Sequence, residues 1–156
     1  RGITLFTSTV RRGSPDYLNP RLNCHSKLHE VQALTQALEA GADEALMLDV
    51  RGFVSTCNST NFFIVRGEDV WTSTGAYCMN GITRHNVIRI CEQNSITCLQ
   101  KDFSLFDVYS ADEAFVTGSF GGLTPVTFVD GRSIGKGSIA MTERLSKLYN
   151  ELIENE

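Results

Sequence analysis

The sequence lacks three features that would each point to a class of protein: an excess of basic residues, a long hydrophobic run and a regular cysteine pattern. The net charge is -4, which gives no general attraction to nucleic acid or to an anionic membrane. No apolar run approaches the roughly 20 residues that a membrane-spanning helix needs. The five cysteines are irregularly spaced and form no CxxC pair, so we expect reduced thiols and a cytoplasmic or organelle-matrix location.

The composition that is present is typical of a globular protein with its own core. The chain has 156 residues, of which 42% are hydrophobic and 21% charged, and it shows no internal repeat, so we predict a single domain over residues 1–156. It begins with Arg1 rather than methionine and has no signal-peptide layout. We therefore interpret the sequence as starting within a longer protein.

Helices and strands are predicted to be interspersed without a regular strand-helix-strand rhythm, which favours the α+β class. Alternating and β-branched stretches predict strands, and apolar residues at helical spacing predict helices. Leu28, Val31, Leu34 and Leu38 mark the apolar face of the first helix. The strands from residue 44 to residue 73 are predicted to pair as an antiparallel meander. Strands are predicted over 3–10, 21–25, 44–49, 53–57, 61–65, 70–73, 96–99, 114–117 and 123–129, and helices over 26–41, 83–94, 105–109 and 138–154.

Two glycine-containing segments are candidate anion sites. In the segment 80–84, a glycine and Thr83 precede a helix, so free N–H groups, the helix dipole and a hydroxyl can meet a phosphate. The alternative is that Thr83 only caps the helix. In the segment 117–125, a small, hydroxyl-rich loop between two strands can present several N–H groups. The alternative there is a hairpin loop that needs glycine for a positive φ.

Lys27 is a candidate nucleophile beside an apolar stretch that can lower its pKa from the usual value of about 10.4. The alternative is a solvated lysine in a first helical turn. His25 and His29 have the spacing of two metal ligands on one helix face, but no convincing third and fourth ligands follow, so no metal site is expected.

These stretches occur in an order and spacing that resemble the class IV (fold type IV) aminotransferases of the branched-chain or D-amino-acid type, over essentially the whole chain. The resemblance implies the C-terminal large domain of that fold, with a mixed, partly closed sheet flanked by helices. It also implies pyridoxal 5'-phosphate as cofactor, an N-terminal small domain that is absent from this sequence, and a homodimer. The stretches that carry it are 40–46, 49–52, 61–65, 81–84, 111–119, 125–126 and 130–132.

The resemblance also implies roles for individual residues. Ile82, Thr83 and Ser119 would bind the cofactor phosphate, and the N–H groups around Gly121 and Gly122 would face the substrate carboxylate. The implied reaction is amino-group transfer between a branched-chain or related amino acid and a 2-oxo acid, with aminodeoxychorismate lyase chemistry as a further possibility within the family.

Two positions depart from the family pattern. A glutamate that pairs with the ring nitrogen of the cofactor normally stands where this chain has Thr56. The lysine that binds the cofactor covalently should fall at Asn23, and the nearest lysine is Lys27. Either Lys27 acts as the catalytic lysine, or the chain is a non-catalytic homologue with a binding or regulatory role.

Overall fold

The fold is an α+β arrangement in which helices cover a strongly curved sheet. The computed structural model describes residues 2–13, 28–118 and 122–155. The helices are α1 (Leu28–Glu39), α2 (Ile82–Gln93), α3 (Leu105–Tyr109) and α4 (Ala140–Glu154). The strands are β1 (Ile3–Thr7), β2 (Glu44–Leu48), β3 (Val54–Cys57), β4 (Asn61–Arg66), β5 (Asp69–Thr72), β6 (Cys98–Gln100), β7 (Glu113–Gly118), β8 (Gly122–Val129) and β9 (Arg132–Ser133).

Within the described residues, the strands form one nine-stranded mixed sheet in the order β3-β2-β1-β8-β7-β4-β5-β6, with β9 paired to β8. Strand β1 is parallel to both of its neighbours, and β4 is antiparallel to both of its own. A loop of only three residues joins β3 to β4, although four strands lie between them in the sheet order. The sheet must therefore curl until its β3 edge reaches β4, and the predicted mixed, partly closed sheet is confirmed.

Both faces of the central strands are buried, which explains their continuous apolar sequences. In β4, Phe62 and Ile64 pack inside the curl, whereas Phe63 and Val65 face the layer formed by α2 and α4. Phe63 stacks on Phe115 of β7 with ring centroids 4.9 Å apart. These packed central strands form a rigid base from which residues 61 and 117, at one end, project toward the same side as α2.

Two predictions about the arrangement of elements were wrong. Strand β3 pairs with β2 and not with β4. The expected meander is therefore two separate antiparallel pairs, β2–β3 and β4–β5, because β4 takes β7 rather than β3 as its second hydrogen-bonded neighbour. Helix α1 buries Ala33 and Ala37 rather than its leucine face. These alanines allow a close approach to β2, while Leu28 and Leu38 remain 63% and 58% exposed.

Several predictions fall outside the described residues and stay predictions. They are the strand over residues 21–25, the lysine position at Asn23, the nucleophile Lys27, the phosphate ligand Ser119 and the carboxylate-binding Gly121.

Candidate active site

A cleft of about 330 Å³ lies where the β3–β4 loop, the end of β7 and the start of α2 converge beneath α1. It brings together residues that were predicted as cofactor ligands in two separate parts of the chain, at position 56 and at the start of α2. Its lining includes Thr56, Asn61, Ile82, Thr83, Thr117 and Gly118. Three of the predicted cofactor-binding residues, Thr56, Ile82 and Thr83, therefore share one cavity.

The floor of the cleft is the N-terminus of α2. Gly81 occupies the N-cap position in an extended conformation, and no side chain caps the helix in the part of the chain that the structure describes. The first intrahelical hydrogen bond runs from the His85 N–H to the Gly81 carbonyl at 3.0 Å. The N–H groups of the preceding helical residues have no carbonyl to bind within the helix. Thr83 is the second residue of α2, so the alternative that it serves as the cap is wrong.

Asn61 of β4 holds this helix start in place. Its Nδ2 donates to the Met79 carbonyl at 2.8 Å, and its Oδ1 accepts a hydrogen bond from the Gly81 N–H at 3.3 Å. In the first turn of α2, the buried Arg84 donates to the Ser73 carbonyl at 2.8 Å, and burial lowers the pKa of its guanidinium. Asn61 thus ties the end of the connection from β5 to α2 to the sheet, and Arg84 ties the start of that connection to the helix.

Two threonine hydroxyls lie beside the helix start. Thr83 is 4% exposed, and its Oγ1 is 3.5 Å from the Tyr149 hydroxyl of α4. Thr117 is 2% exposed, and its Oγ1 has no hydrogen-bond partner among the described residues. Ile82 is 76% exposed, so only its backbone is suited to hold a ligand.

At the opposite side of the cleft, Thr56 stands where the family resemblance predicts a glutamate. It is 4% exposed, and its hydroxyl donates to the Thr60 carbonyl at 2.7 Å. Cys57 beside it is fully enclosed, and burial raises the pKa of its thiol well above the usual value, which keeps it neutral. This side of the cleft therefore offers hydroxyl and thiol groups and no carboxylate from the β3 strand.

Two carboxylates lie near this side, and both have protein partners. Glu30 lines the cleft and pairs with the buried Arg12 at 2.8 Å. Glu44 of β2 accepts a hydrogen bond from the Thr60 hydroxyl at 2.6 Å, and burial raises the pKa of its carboxyl. The Arg12–Glu30 pair was missed in the sequence analysis because no local pattern links two residues on either side of the segment 14–27.

The glycine-rich loop after β7 begins and ends beside the cleft. Gly118 lines the cleft and pairs with Gly122 at the start of β8. Gly122 has a φ of +60°, and a Cβ there would lie 3.4 Å from the Tyr149 ring. A positive φ at this position agrees with the hairpin alternative and leaves the predicted role of its N–H group untested.

Other ligand classes find little support in the described part of the chain. No lysine among these residues lines the cleft: Lys101 lies over the Trp71 ring at 4.0 Å, and Lys136 and Lys147 lie elsewhere on the surface. Across the same residues no group of three or more His, Cys, Asp or Glu side chains is arranged to hold a metal ion. None of the described helices combines the length and apolarity needed to cross a membrane.

Comparison with known proteins gives a consistent result over nearly the whole chain. The chain is 38% identical over 98% of its length to a branched-chain-amino-acid aminotransferase-like protein 2 of Arabidopsis thaliana, of which it covers 28%. It is 35% identical over 98% of its length to the branched-chain-amino-acid aminotransferase of Pseudomonas aeruginosa, of which it covers 50%. The chain thus spans half or less of the length of these relatives.

Solved structures agree with the sequence matches. The branched-chain amino acid aminotransferase from Escherichia coli superposes with a TM-score of 0.93 at 27% identity, over 97% of this chain and 52% of that one. An aminotransferase from Brucella abortus bound to the co-factor PLP superposes with a TM-score of 0.90 at 28% identity, over 97% of this chain and 54% of that one. The family model described as amino-transferase class IV matches residues 1–129, which is most of the chain and includes the whole cleft. The chain belongs to the class IV aminotransferase family.

Proposed function

We propose that this chain forms the cofactor-holding half of a pyridoxal 5'-phosphate protein of the branched-chain aminotransferase type. The observation that carries the proposal is the start of α2, which opens into the cleft without a capping side chain and with a buried threonine beside it. A helix N-terminus with free N–H groups is a favourable environment for a phosphate. The Brucella abortus relative, whose structure contains the co-factor PLP, supports the identity of that phosphate.

The phosphate end of the cleft fits such a cofactor. In this proposal the N–H groups of Ile82 and Thr83 bind the phosphate, and Ser119 adds its hydroxyl. The N–H groups of Gly121 and Gly122 orient the carboxylate of the substrate. When bound, the cofactor ring supplies an electron sink for the α-carbon of an amino acid.

The end of the cleft at Thr56, which we call the ring end because it would face the cofactor ring, lacks the carboxylate that amino-group transfer at the full rate requires. A threonine hydroxyl cannot keep a ring nitrogen protonated as a carboxylate does, and the Thr56 hydroxyl is already bonded to Thr60. The amide at Asn23 can act neither as a nucleophile nor as a base. Loss of a positioned general base alone costs about 10²–10⁴-fold in rate, so we propose that transfer between branched-chain amino acids and 2-oxo acids is slow and depends on Lys27.

Thr56 also favours a second candidate function, a cofactor-binding homologue without turnover. The two are separated in the intact protein that carries this chain by reducing the loaded protein with borohydride and mapping the labelled peptide. Label on Lys27, together with transfer activity that Lys27→Ala abolishes, supports the enzyme. Cofactor binding without label or turnover supports the binding protein.

Restoring the family residues provides the complementary test. Asn23→Lys combined with Thr56→Glu should raise the transfer rate by at least about a hundredfold, because the base and the ring-nitrogen partner are both returned. Either substitution alone should give less than the pair. If native protein and double variant transfer amino groups equally well, the assignment of the ring end to Thr56 is wrong.

Part of the cleft rim is apolar. Val31, Met79 and Ile82 line it and are 58%, 37% and 76% exposed. Single exposed apolar residues are common on any protein surface, but a group of them around one opening is typical of an interaction site. We propose that this rim contacts the part of the relatives' length that the chain does not span, and that a homodimer completes the pocket. Polar substitution of Val31 should then weaken dimer formation in sedimentation experiments.

A further inference from the structure

We propose that Thr117 is a direct ligand of the phosphate at the start of α2, with its hydroxyl donating to a phosphate oxygen. This inference rests on the proposed function, because it concerns the same phosphate. It adds a contact from the middle of the sheet to those from the helix start and from the loop after β7.

The state of the Thr117 hydroxyl itself indicates a ligand. Thr117 is 2% exposed, lines the cleft, and has a side-chain oxygen that meets no hydrogen-bond partner within the described residues. Buried hydroxyls are nearly always paired, since removing one from water without a new partner is destabilising. A ligand in the cleft would supply the partner that the described residues do not.

Thr117 projects from the face of the sheet that carries α2. It lies directly opposite Asn61 in the β4–β7 pair, and opposite residues of an antiparallel pair project from the same face. The Asn61 side chain reaches the Gly81 N–H at the N-cap of α2. Thr117 shares this face with Phe115 two residues earlier, which packs in the cluster that contains residues of α2 and α4. Its hydroxyl therefore lies on the α2 side of the sheet, where the helix start opens.

The backbone that carries Thr117 is held rigidly by the sheet. Thr117 belongs to a strand hydrogen-bonded on both sides, with Asn61 across one ladder and Leu123 across the other. A hydroxyl on such a strand is held in place before the ligand arrives, so little side-chain entropy is lost on binding.

The test compares two conservative substitutions of Thr117 in the intact protein. Thr117→Val keeps the shape and removes the hydroxyl, and Thr117→Ser keeps the hydroxyl. Calorimetric dissociation constants are measured for inorganic phosphate, for pyridoxal 5'-phosphate and for unphosphorylated pyridoxal. We expect Thr117→Val to bind both phosphates at least about tenfold more weakly, as for the loss of a hydrogen bond to a charged group. The same variant should bind pyridoxal as the native protein does. The dissociation constants of Thr117→Ser should stay within about threefold of the native values.

The stability of the ligand-free protein provides a second test, because Thr117→Val should weaken phosphate binding without lowering stability. Thr117→Val should unfold at the same or a higher urea concentration than the native protein, because it removes an unpaired buried hydroxyl. The matched control is Thr72→Val in β5, where the equally buried hydroxyl donates to the Phe62 carbonyl at 2.8 Å. This control should lower the urea midpoint and leave phosphate binding unchanged.

Three results would overturn the inference. In the first, Thr117→Val binds both phosphates with native affinity, whereas Thr83→Val binds them more weakly. This result removes Thr117 from the site and leaves the proposed function standing. Weaker binding of pyridoxal 5'-phosphate with unchanged binding of inorganic phosphate assigns the hydroxyl to the ring instead. A native protein that binds neither phosphate refutes both this inference and the proposed function.

Discussion

Glu113 is predicted to anchor α4, which contacts the cleft-lining Thr83 through Tyr149. Its carboxylate is 7% exposed and accepts three hydrogen bonds at the start of α4: the Met141 N–H at 3.0 Å, the Thr142 N–H at 2.9 Å and the Thr142 hydroxyl at 2.9 Å. Two turns further along, Tyr149 contacts Thr83 and packs beside Gly122. A change at Glu113 should therefore reduce stability and disturb the site.

The magnitude follows from the number of donors left behind. Glu113→Gln keeps one acceptor oxygen and replaces the other by an NH₂ group that faces an N–H donor. Hydrogen bonds to charged groups contribute about 1.5–3 kcal/mol, and each buried donor without a partner costs about 1–3 kcal/mol. Loss of the charge also removes a favourable interaction with the helix dipole of about 0.3–1 kcal/mol. We expect Glu113→Gln to lower the free energy of unfolding by about 2–4 kcal/mol.

Urea unfolding followed by circular dichroism measures this loss. The matched control is Glu143→Gln, because Glu143 is in the same first turn of α4 but exposed, and it should cost less than about 1 kcal/mol. Phosphate affinity of the folded Glu113→Gln protein should also fall, because α4 carries Tyr149. A loss below about 0.5 kcal/mol, within the usual range for a surface substitution, would refute the capping role.

Two further predictions concern the hairpin beside the cleft and a tight turn near α4. Burial raises the pKa of Glu44 above 4.5. At pH values between 4.5 and the raised pKa, the folded state therefore binds more protons than the unfolded state. The contribution of this group to the free energy of unfolding falls as the pH rises through that range. Glu44→Gln should flatten this dependence in urea titrations carried out from pH 4.5 upward, and a dependence of stability on pH equal to that of the native protein would contradict the prediction. Gly135 has a φ of +66°, and a Cβ there would overlap the Asp112 carbonyl. Gly135→Ala should cost about 1–3 kcal/mol in the same assay, whereas Gly67→Ala, with positive φ but open space around it, should cost less.

Sequence patterns predicted best the elements that pack against a single neighbouring layer, because that contact alone determines the spacing of their apolar residues. Helix α4 lies within its predicted range, with Leu145 buried and Leu148 packed beside it, and α2 begins one residue before its predicted start. The position of β3 was predicted closely, and so was its pairing with β2, but its expected pairing with β4 was wrong. Pairing depends on the curl of the whole sheet, whereas the sequence around β3 reports only on its local conformation.

The candidate site divides in the same way. The helix start at Thr83 follows from a local signal, a glycine before a hydroxyl residue at the head of an apolar-periodic stretch. The position of Thr117 beside Asn61 follows only from strand register, which no short segment encodes. Glu113 lies 28 residues from Met141, whose N–H group it accepts, and nothing within either segment identifies the other.

The two ends of the cleft differ in how strongly the fold itself preserves them. The phosphate end is built from the start of α2 and from strand positions that also serve the core, so changes there disturb packing. The ring end depends on single side chains. At residue 56, threonine suits a strand because it is β-branched, and its hydroxyl finds the Thr60 carbonyl, so it leaves no unpaired buried group where a carboxylate would need a counter-charge. A chain with threonine here keeps the fold and the sequence similarity of an aminotransferase, and those two properties therefore report on cofactor binding more directly than on transfer.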